Sequence, residues 1–413
     1  MQQAWKALRY IILAFTAGWA ALCSSAAEPE LPVLDAEFRR HMEQAAGQPI
    51  LEGNQITELI NGVEYFPAML DAIRKAERSI TFENFIWRSG KVSDQFIEAL
   101  CERARAGVKV HCIADGFGTL RLRSGDIQKM RKCGVDFRIY NRIRPYNFWM
   151  WNHRTHRKTL VVDGKVGFIG GICVADEWDG DGDRQEVWRD TEFKVLGPMV
   201  AQIQAAFTTN WHDVRGPKLT GPDYFPPLTN AGSISAHSFV SGLRENRRSA
   251  REVHMQGIQH ATKTIRIAHS YFVPDHEMVE ALRAAAKRGV RIQVITSGHK
   301  LNMVRRASRS TFDNLMDVGV DFYEFNPTKY HCKVMIVDDA WVTTGSINFD
   351  DRSFHINDEG NINVWDREFA QKQTQVFDAD LAQSTHIDPI RFKNRFFMEK
   401  WVDNFCGLFR RWL

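Results

Sequence analysis

Two short lines of this 413-residue sequence hold the residue types that could do chemistry. The first reads His156-Arg-Lys158-Thr-Leu-Val-Val-Asp163 and is followed by Ile169-Gly170-Gly171. The second reads His331-Cys-Lys333-Val-Met-Ile-Val-Asp338 and is followed by Gly345-Ser346-Ile347-Asn348. Each residue of the second line lies 175 positions after its counterpart: 156 to 331, 158 to 333, 163 to 338, 170 to 345. One such string could be accident; two in register are not. On a strand, residues i and i+2 share a face, so His156 stands beside Lys158 and His331 beside Lys333. Two imidazoles and two ammonium groups without a metal-ligating carboxylate pair describe an anion site, phosphate above all. No metal or cofactor is expected there.

A neutral imidazole can attack phosphorus and form a phosphohistidine, while a protonated imidazole donates to the leaving oxygen. Two like groups in opposite protonation states supply both functions, and their titration is coupled. Lys158 and Lys333, with Ser346 and Asn348, are expected to neutralise charge on the equatorial oxygens. A histidine that reacts through one ring nitrogen needs an acceptor on the other. Asp190, in Trp188-Arg-Asp-Thr, and Glu359, in Asn357-Asp-Glu, lie downstream in the two copies for that task.

The elements that must carry these lines are themselves duplicated. Arg105-Ala-Gly-Val-Lys-Val-His-Cys-Ile-Ala-Asp-Gly116 parallels Lys287-Arg-Gly-Val-Arg-Ile-Gln-Val-Ile-Thr-Ser-Gly298, and Gly134-Val-Asp-Phe137 parallels Gly319-Val-Asp-Phe322. Each copy predicts an amphipathic helix (94–106 and 276–288) that ends at a glycine and feeds a β-branched strand. Helix and strand in alternation predict an α/β fold of two pseudo-symmetric lobes, each a mixed, mostly parallel sheet flanked by helices, with the site between them. The expected boundaries are 50–215 for the first repeat, 216–233 for a proline-rich connection and 234–385 for the second repeat.

The doubled HxKxxxxD with the following GG and GSxN resembles the phospholipase D superfamily. Asn61-Gly-Val-Glu-Tyr-Phe-Pro67, Glu83-Asn-Phe-Ile-Trp87, Asp115-Gly-Phe-Gly118, Trp188-Arg-Asp190 and the run Gly345–Phe354 are similar to its bacterial cardiolipin synthase branch, over about Gly53 to Asp380. The resemblance implies a metal-independent, two-step phosphatidyl transfer in which His156 is the nucleophile and His331 the general acid. It implies that Asp163 and Asp338, counted with His156, Lys158, His331 and Lys333 in the catalytic motif set, act structurally. It places Ser346, Asn348 and Glu359 at pocket positions. The implied reaction takes phosphatidylglycerol as donor and a second phospholipid as acceptor, releasing glycerol. A phospholipase D that transfers to water, or a nuclease of the superfamily, stands as the alternative. Cys173 departs from the family pattern, because it occupies the position of the first repeat's asparagine.

Composition narrows the choice. With 44% hydrophobic and 25% charged residues the chain is neither low-complexity nor disordered. A mean hydropathy of −0.35 excludes a polytopic membrane protein. The net charge of +4 does not announce a nucleic-acid binder; together with the resemblance and the basic, aromatic segments below, it makes an anionic phospholipid membrane the expected partner and no nucleic acid. Residues 1–27 have the layout of a signal peptide or an N-terminal anchor, with Lys6 and Arg9 ahead of an apolar run and small residues. Taken with the resemblance, that implies a place at the bacterial inner membrane, peripheral, anchored or exported. Seven cysteines without a CxxC pair permit disulfides without demanding them. The loop before His156 carries Arg142, Arg144, Tyr146, Phe148, Trp149 and Trp151, a membrane-facing lip or a plug over the sheet. Residues 388–413 read as a basic, aromatic helix, either interfacial or docked on its own domain. Asp179-Gly-Asp181-Gly-Asp183 lacks the glycine, the glutamate and the helix pair of a calcium loop, and reads as a solvated acidic loop.

Overall fold

A computed structural model describes residues 31–143, 151–242, 248–298 and 302–410. The expected signal or anchor segment and residues 144–150 of the aromatic lip lie outside the described residues. No helix among the described residues is long and apolar enough to cross a membrane.

The first repeat contributes β1 (Leu51–Ile60), β2 (Ser79–Asn84), β3 (Lys109–Asp115), β4 (Asp136–Tyr140), β5 (Thr159–Val162), β6 (Val166–Gly170) and β7 (Thr191–Leu196). The second contributes β8 (Ile234–Ser241), β9 (Thr264–His269), β10 (Phe272–Val273), β11 (Arg291–Ser297), β12 (Asp321–Phe325), β13 (Lys333–Val337), β14 (Trp341–Gly345), β15 (Phe349–Asp350), β16 (Glu359–Trp365) and β17 (Ser384–His386). All but β10 and β15 join one sheet in the order 17-12-11-9-13-14-16-8-1-7-6-5-2-3-4. The order reads alike outward from the antiparallel β1–β8 pair, which marks the pseudo-dyad.

The sheet is mixed, and its parallel share is smaller than the helix–strand alternation implies. β2-β3-β4 and β9-β11-β12 are parallel, while β5, β6, β7, β13, β14 and β16 pair antiparallel. The cause is local: each HxK line enters a strand that turns straight back as a hairpin, which needs no crossover helix. The helices Lys91–Arg105 and His276–Lys287 are each followed by a glycine, Gly107 and Gly289, with φ of 91° and 93°. A side chain there would be strained, so both copies stop their helix in the same way.

Each lobe packs helices over its own core, Phe66, Phe82 and Phe96 in the first and Phe272, Phe322 and Trp341 in the second. A third core joins Val161, Ile169 and Phe193 of the first lobe to Ile336, Val342 and Ile362 of the second. The two lobes are therefore one packed body. Residues 216–233 form no helix or strand, yet Tyr224 is buried against His111 and Asp223 pairs with Arg78 and Lys109. Cys101 and Cys133 form a disulfide between the ends of the helices Lys91–Arg105 and Ser124–Lys132; Cys112, Cys173, Cys332 and Cys406 are buried thiols.

Candidate active site

β5 is Thr-Leu-Val-Val and β13 is Lys333 followed by Val-Met-Ile-Val, with every residue buried, and each is entered through its HxK line. Two backbone bridges bring the lines together across the lobes. Thr155 pairs parallel with Asp358, and Arg189 pairs parallel with Tyr330. His156 N–H donates to the Asp358 carbonyl at 2.8 Å, and His331 N–H to the Arg189 carbonyl at 2.8 Å. Each bridge sets a histidine of one lobe beside an acid of the other.

The acids expected to orient the histidines do so, but crossed between the repeats. His156 Nδ1 lies 2.9 Å from Oε2 and 3.0 Å from Oε1 of Glu359, a residue of the second lobe. His331 Nδ1 lies 2.7 Å from Oδ2 of Asp190, a residue of the first. A carboxylate can only accept, so both Nδ1 atoms carry the proton and both Nε2 atoms carry a lone pair. Lys158 and Lys333 curl back so that each Nζ donates to the carbonyl of its own histidine, at 2.6 and 2.7 Å. The Lys333 ammonium also lies 3.2 Å from His331 Nδ1 and 3.4 Å from Nε2. Phe85 stacks edge-on to His156, while Trp178 and Trp188 flank His331.

Burial sets the electrostatics. It pushes the His156 imidazole down to about 4; Lys158 and Lys333 add to that and Glu359 opposes it. Burial, reinforced by Lys333, takes His331 well below the usual histidine range, against the pull of Asp190. Burial also lowers Lys158 to about 8, and lowers Lys333. Burial therefore favours the neutral form of both rings. An anion placed beside the rings would favour a proton on one of them.

The remaining expected residues divide. Asp163 and Asp338 do not join the histidines. Asp163 accepts the backbone N–H groups of Glu77, Arg78 and Ser79, and Asp338 those of Thr262, Lys263 and Thr264. Both sit at left-handed turns, φ 52° and 54°, and tie their hairpins to the starts of β2 and β9. Ser346, expected on the phosphate, donates to Glu359 Oε2 at 2.5 Å and accepts from Gly360 N–H. Asn348 is buried, and its Oδ1 has no partner among the described residues. Cys173 is buried close enough to Lys158 for the thiol and ammonium to influence each other.

Other contributors were not singled out from the sequence. Ser353 donates to Glu359 Oε1 at 2.7 Å, and the Trp178 indole donates to Asp190 Oδ2 at 2.9 Å. Asp358 accepts from Tyr140 at 2.6 Å and contacts His153 Nε2 at 2.8 Å, bracing one bridge. Arg189 and Tyr330 both donate to Asp380 at 2.9 Å, bracing the other. Their one signal in the sequence was adjacency: Asp358 and Arg189 each precede the acid that holds a histidine.

The family model described as cardiolipin synthase, PLD-like domain, matches residues 69–177 and 255–381. The chain belongs to that family, within the phospholipase D superfamily. It is an enzyme of the phosphatidyltransferase type. It is 31% identical over 373 residues to a cardiolipin synthase of Geobacillus thermodenitrificans, covering 89% of this chain and 74% of the relative. It is 32% identical over 377 residues to a probable cardiolipin synthase of Bacillus subtilis, covering 90% and 75%. Among solved structures, phosphatidylserine synthase of Haemophilus influenzae superposes with a TM-score of 0.66 at 13% identity, covering 90% of this chain and 97% of that one. Polyphosphate kinase of Porphyromonas gingivalis superposes at 0.55 with 11% identity, covering 84% and 50%. At those identities the likeness speaks for the fold alone.

Proposed function

We propose that the enzyme makes cardiolipin from phosphatidylglycerol through a phosphohistidine on His156. The observation that carries the reading is the pair of crossed carboxylate–histidine contacts, which leaves two Nε2 lone pairs in a pocket with two buried lysines. In the first step His156 Nε2 attacks the donor phosphorus, the bond to the headgroup glycerol oxygen breaks, and His331, protonated in the bound complex, gives that oxygen its proton. In the second step a hydroxyl of a second phospholipid attacks the phosphorus and the P–N bond breaks. His331 takes the hydroxyl proton. Lys158, Lys333 and Asn348 hold the non-bridging oxygens, and Glu359 and Asp190 stabilise whichever ring is cationic.

Around that site, 50–215 and 234–385 act as the two repeats, 216–233 as their connection and 388–413 as an appended tail. The names of the relatives support the choice of lipid, and the sequence of residues 1–27 supports a peripheral or N-terminally anchored place at the bacterial membrane. The test is to incubate the purified chain with phosphatidylglycerol vesicles, with and without phosphatidylethanolamine, and to separate the lipids. Cardiolipin and free glycerol are expected. Phosphatidic acid as the sole product would reassign the acceptor to water, and cleavage of DNA with both lipids untouched would overturn the reading.

A further inference from the structure

The expected single C-terminal helix is two short helices, Pro389–Lys393 and Phe397–Gly407, and the second is docked inside out. A helix on a globular domain normally buries its apolar stripe and shows its charges to water. Here Phe397, Met398, Trp401 and Phe405 are exposed at 70%, 53%, 63% and 45%, and Leu408 just beyond at 76%. The buried residues are Asp403 and Cys406. Asp403 accepts from Arg306 at 3.2 Å and contacts Arg309 and Arg395 at 3.4 Å, so a carboxylate clamped by three guanidinium groups holds the helix down. Trp401 and Phe405 stack on each other in the open, ring centres 5.4 Å apart.

The patch stands at the catalytic end of the sheet. Cys406 packs with Ala307 and Val273. Val273 lies four residues past His269, which pairs with Lys333 across β9 and β13. The first lobe has its own apolar point at the matching place. After β3, the counterpart of β11, the turn exposes Phe117 and Leu120 at 57% and 66%. Phe117 N–H donates to Asp115 Oδ1 at 2.7 Å, and Thr155 N–H, one residue before His156, donates to Asp115 Oδ2 at 3.1 Å. Each lobe therefore carries exposed apolar side chains linked through a few contacts to its own HxK line.

We infer that the outward face of Phe397–Gly407, with Phe117 and Leu120, is the surface by which this enzyme seats its active site on a phospholipid bilayer. Exposed aromatics of this number mark an interaction surface, and Arg391, Lys400 and Arg410 on and around the two helices outnumber Asp388 and Glu399, as an anionic headgroup layer requires. The inference rests on the phospholipid reading above. The donor phosphodiester lies at the headgroup level, and contacts from both lobes hold the pocket there. Asp403 gives the helix a fixed orientation, so the aromatic side cannot roll inward.

The test uses the full chain carrying Met398→Cys with an environment-sensitive dye, titrated with phosphatidylcholine vesicles with or without phosphatidylglycerol. A blue shift on vesicles, stronger with the anionic lipid, is expected. A companion variant, Trp401→Glu with Phe405→Glu, is expected to lose about ten-fold in turnover of vesicle lipid. Its turnover of a short-chain phosphatidylglycerol kept monomeric should stay within about two-fold of the parent. No shift while vesicle lipid is turned over would overturn the docking surface and leave the proposed reaction standing. A shift without any lipid turnover would keep the surface and overturn the reaction. A shift that follows protein concentration without vesicles would assign the face to a second copy of the chain and overturn the membrane.

Discussion

The two histidines sit in matched frames but are held by different hardware. His156 is gripped by a glutamate whose two oxygens are fixed by Ser346 and Ser353; His331 is gripped by an aspartate fixed by an indole and by Thr191 N–H. The glycine–glycine and glycine–serine pairs after the motifs follow from this. A Cβ on Gly171 would lie 2.5 Å from Asp190 Oδ1, so the first lobe has no room there for a side chain. The same position in the second lobe is Ser346, whose hydroxyl reaches the longer carboxylate. The difference is one of reach: a short acid needs an empty neighbour, and a long one needs a tether.

The largest break of this comparison is to remove the rings. His156→Ala is expected to lower turnover by at least about 10⁴-fold, because no phosphoenzyme can form. His331→Ala loses about 10² to 10⁴-fold with natural donors but still forms an acid-labile phosphoenzyme from a donor whose leaving group needs no proton. Phosphoenzyme trapping with each variant checks the assignment, and equal trapping by both would undo it.

Exchanging the holders comes next. Gly171→Ser should displace Asp190 and cost about a hundred-fold in kcat, since small displacements of a reacting group are expensive. Ser346→Gly removes one hydrogen bond to Glu359 and should cost about ten-fold. Steady-state assays that rank the two the other way would refute the argument from reach.

The pH profile sharpens the comparison further. The proposed nucleophile, His156, must react as the neutral ring, so kcat/KM should fall on the acid side as pH drops towards its value of about 4. The proposed phosphate contact of Lys158 needs its cation, so activity should fall again above about 8. Glu359 favours the protonated ring, so Glu359→Gln moves the acid limb to lower pH, and Asp190→Asn leaves that limb where it was. Folding stability follows the same sign. Buried His156, His237 and His254 have folded values of about 4, 3 and 4, below their unfolded value, so stability is complete above about pH 6.5 and declines as pH falls through that window.

The smallest expected effects concern the outer helices. In the first lobe Cys101 and Cys133 staple two helices; at the corresponding positions the second lobe has Arg283 and Val318, and Arg283 donates to the Asn314 carbonyl. Cys101→Ser should cost about 3 kcal/mol of stability, and Arg283→Ala about 1 kcal/mol. Activity at 25 °C should hold in both, and reductant should reproduce only the first in a urea titration.

Much of the site was legible because its chemistry repeats at a fixed offset. His156, Lys158, His331 and Lys333 could be placed on shared faces from strand periodicity, and Asp190 and Glu359 from what a reacting imidazole requires. The crossing was not legible: it follows from the join of β1 to β8 and from the bridges at Thr155 and Arg189, contacts between residues far apart in the chain. The Ser346–Glu359 hydrogen bond was not legible, because a hydroxyl next to a cationic site reads the same whether it serves the ligand or the acid. The mixed sheet was legible as α/β, but its parallel share was overestimated, since a strand bound for a hairpin looks like one bound for a crossover. In the tail the aromatic spacing announced a helix, while the face that packs is decided by Asp403, a single residue that periodicity does not weigh.

The crossed acids also bear on how such a chain can change over generations. Duplication ordinarily frees one copy to drift while the other keeps the activity. Here a substitution at Glu359 is felt by His156, and one at Asp190 by His331, so neither half has a spare. An ancestor with a single copy of this layout would have needed a twin molecule to complete its pocket. With both copies in one polypeptide that partnership is permanent, and the inheritance of each half is bound to the other.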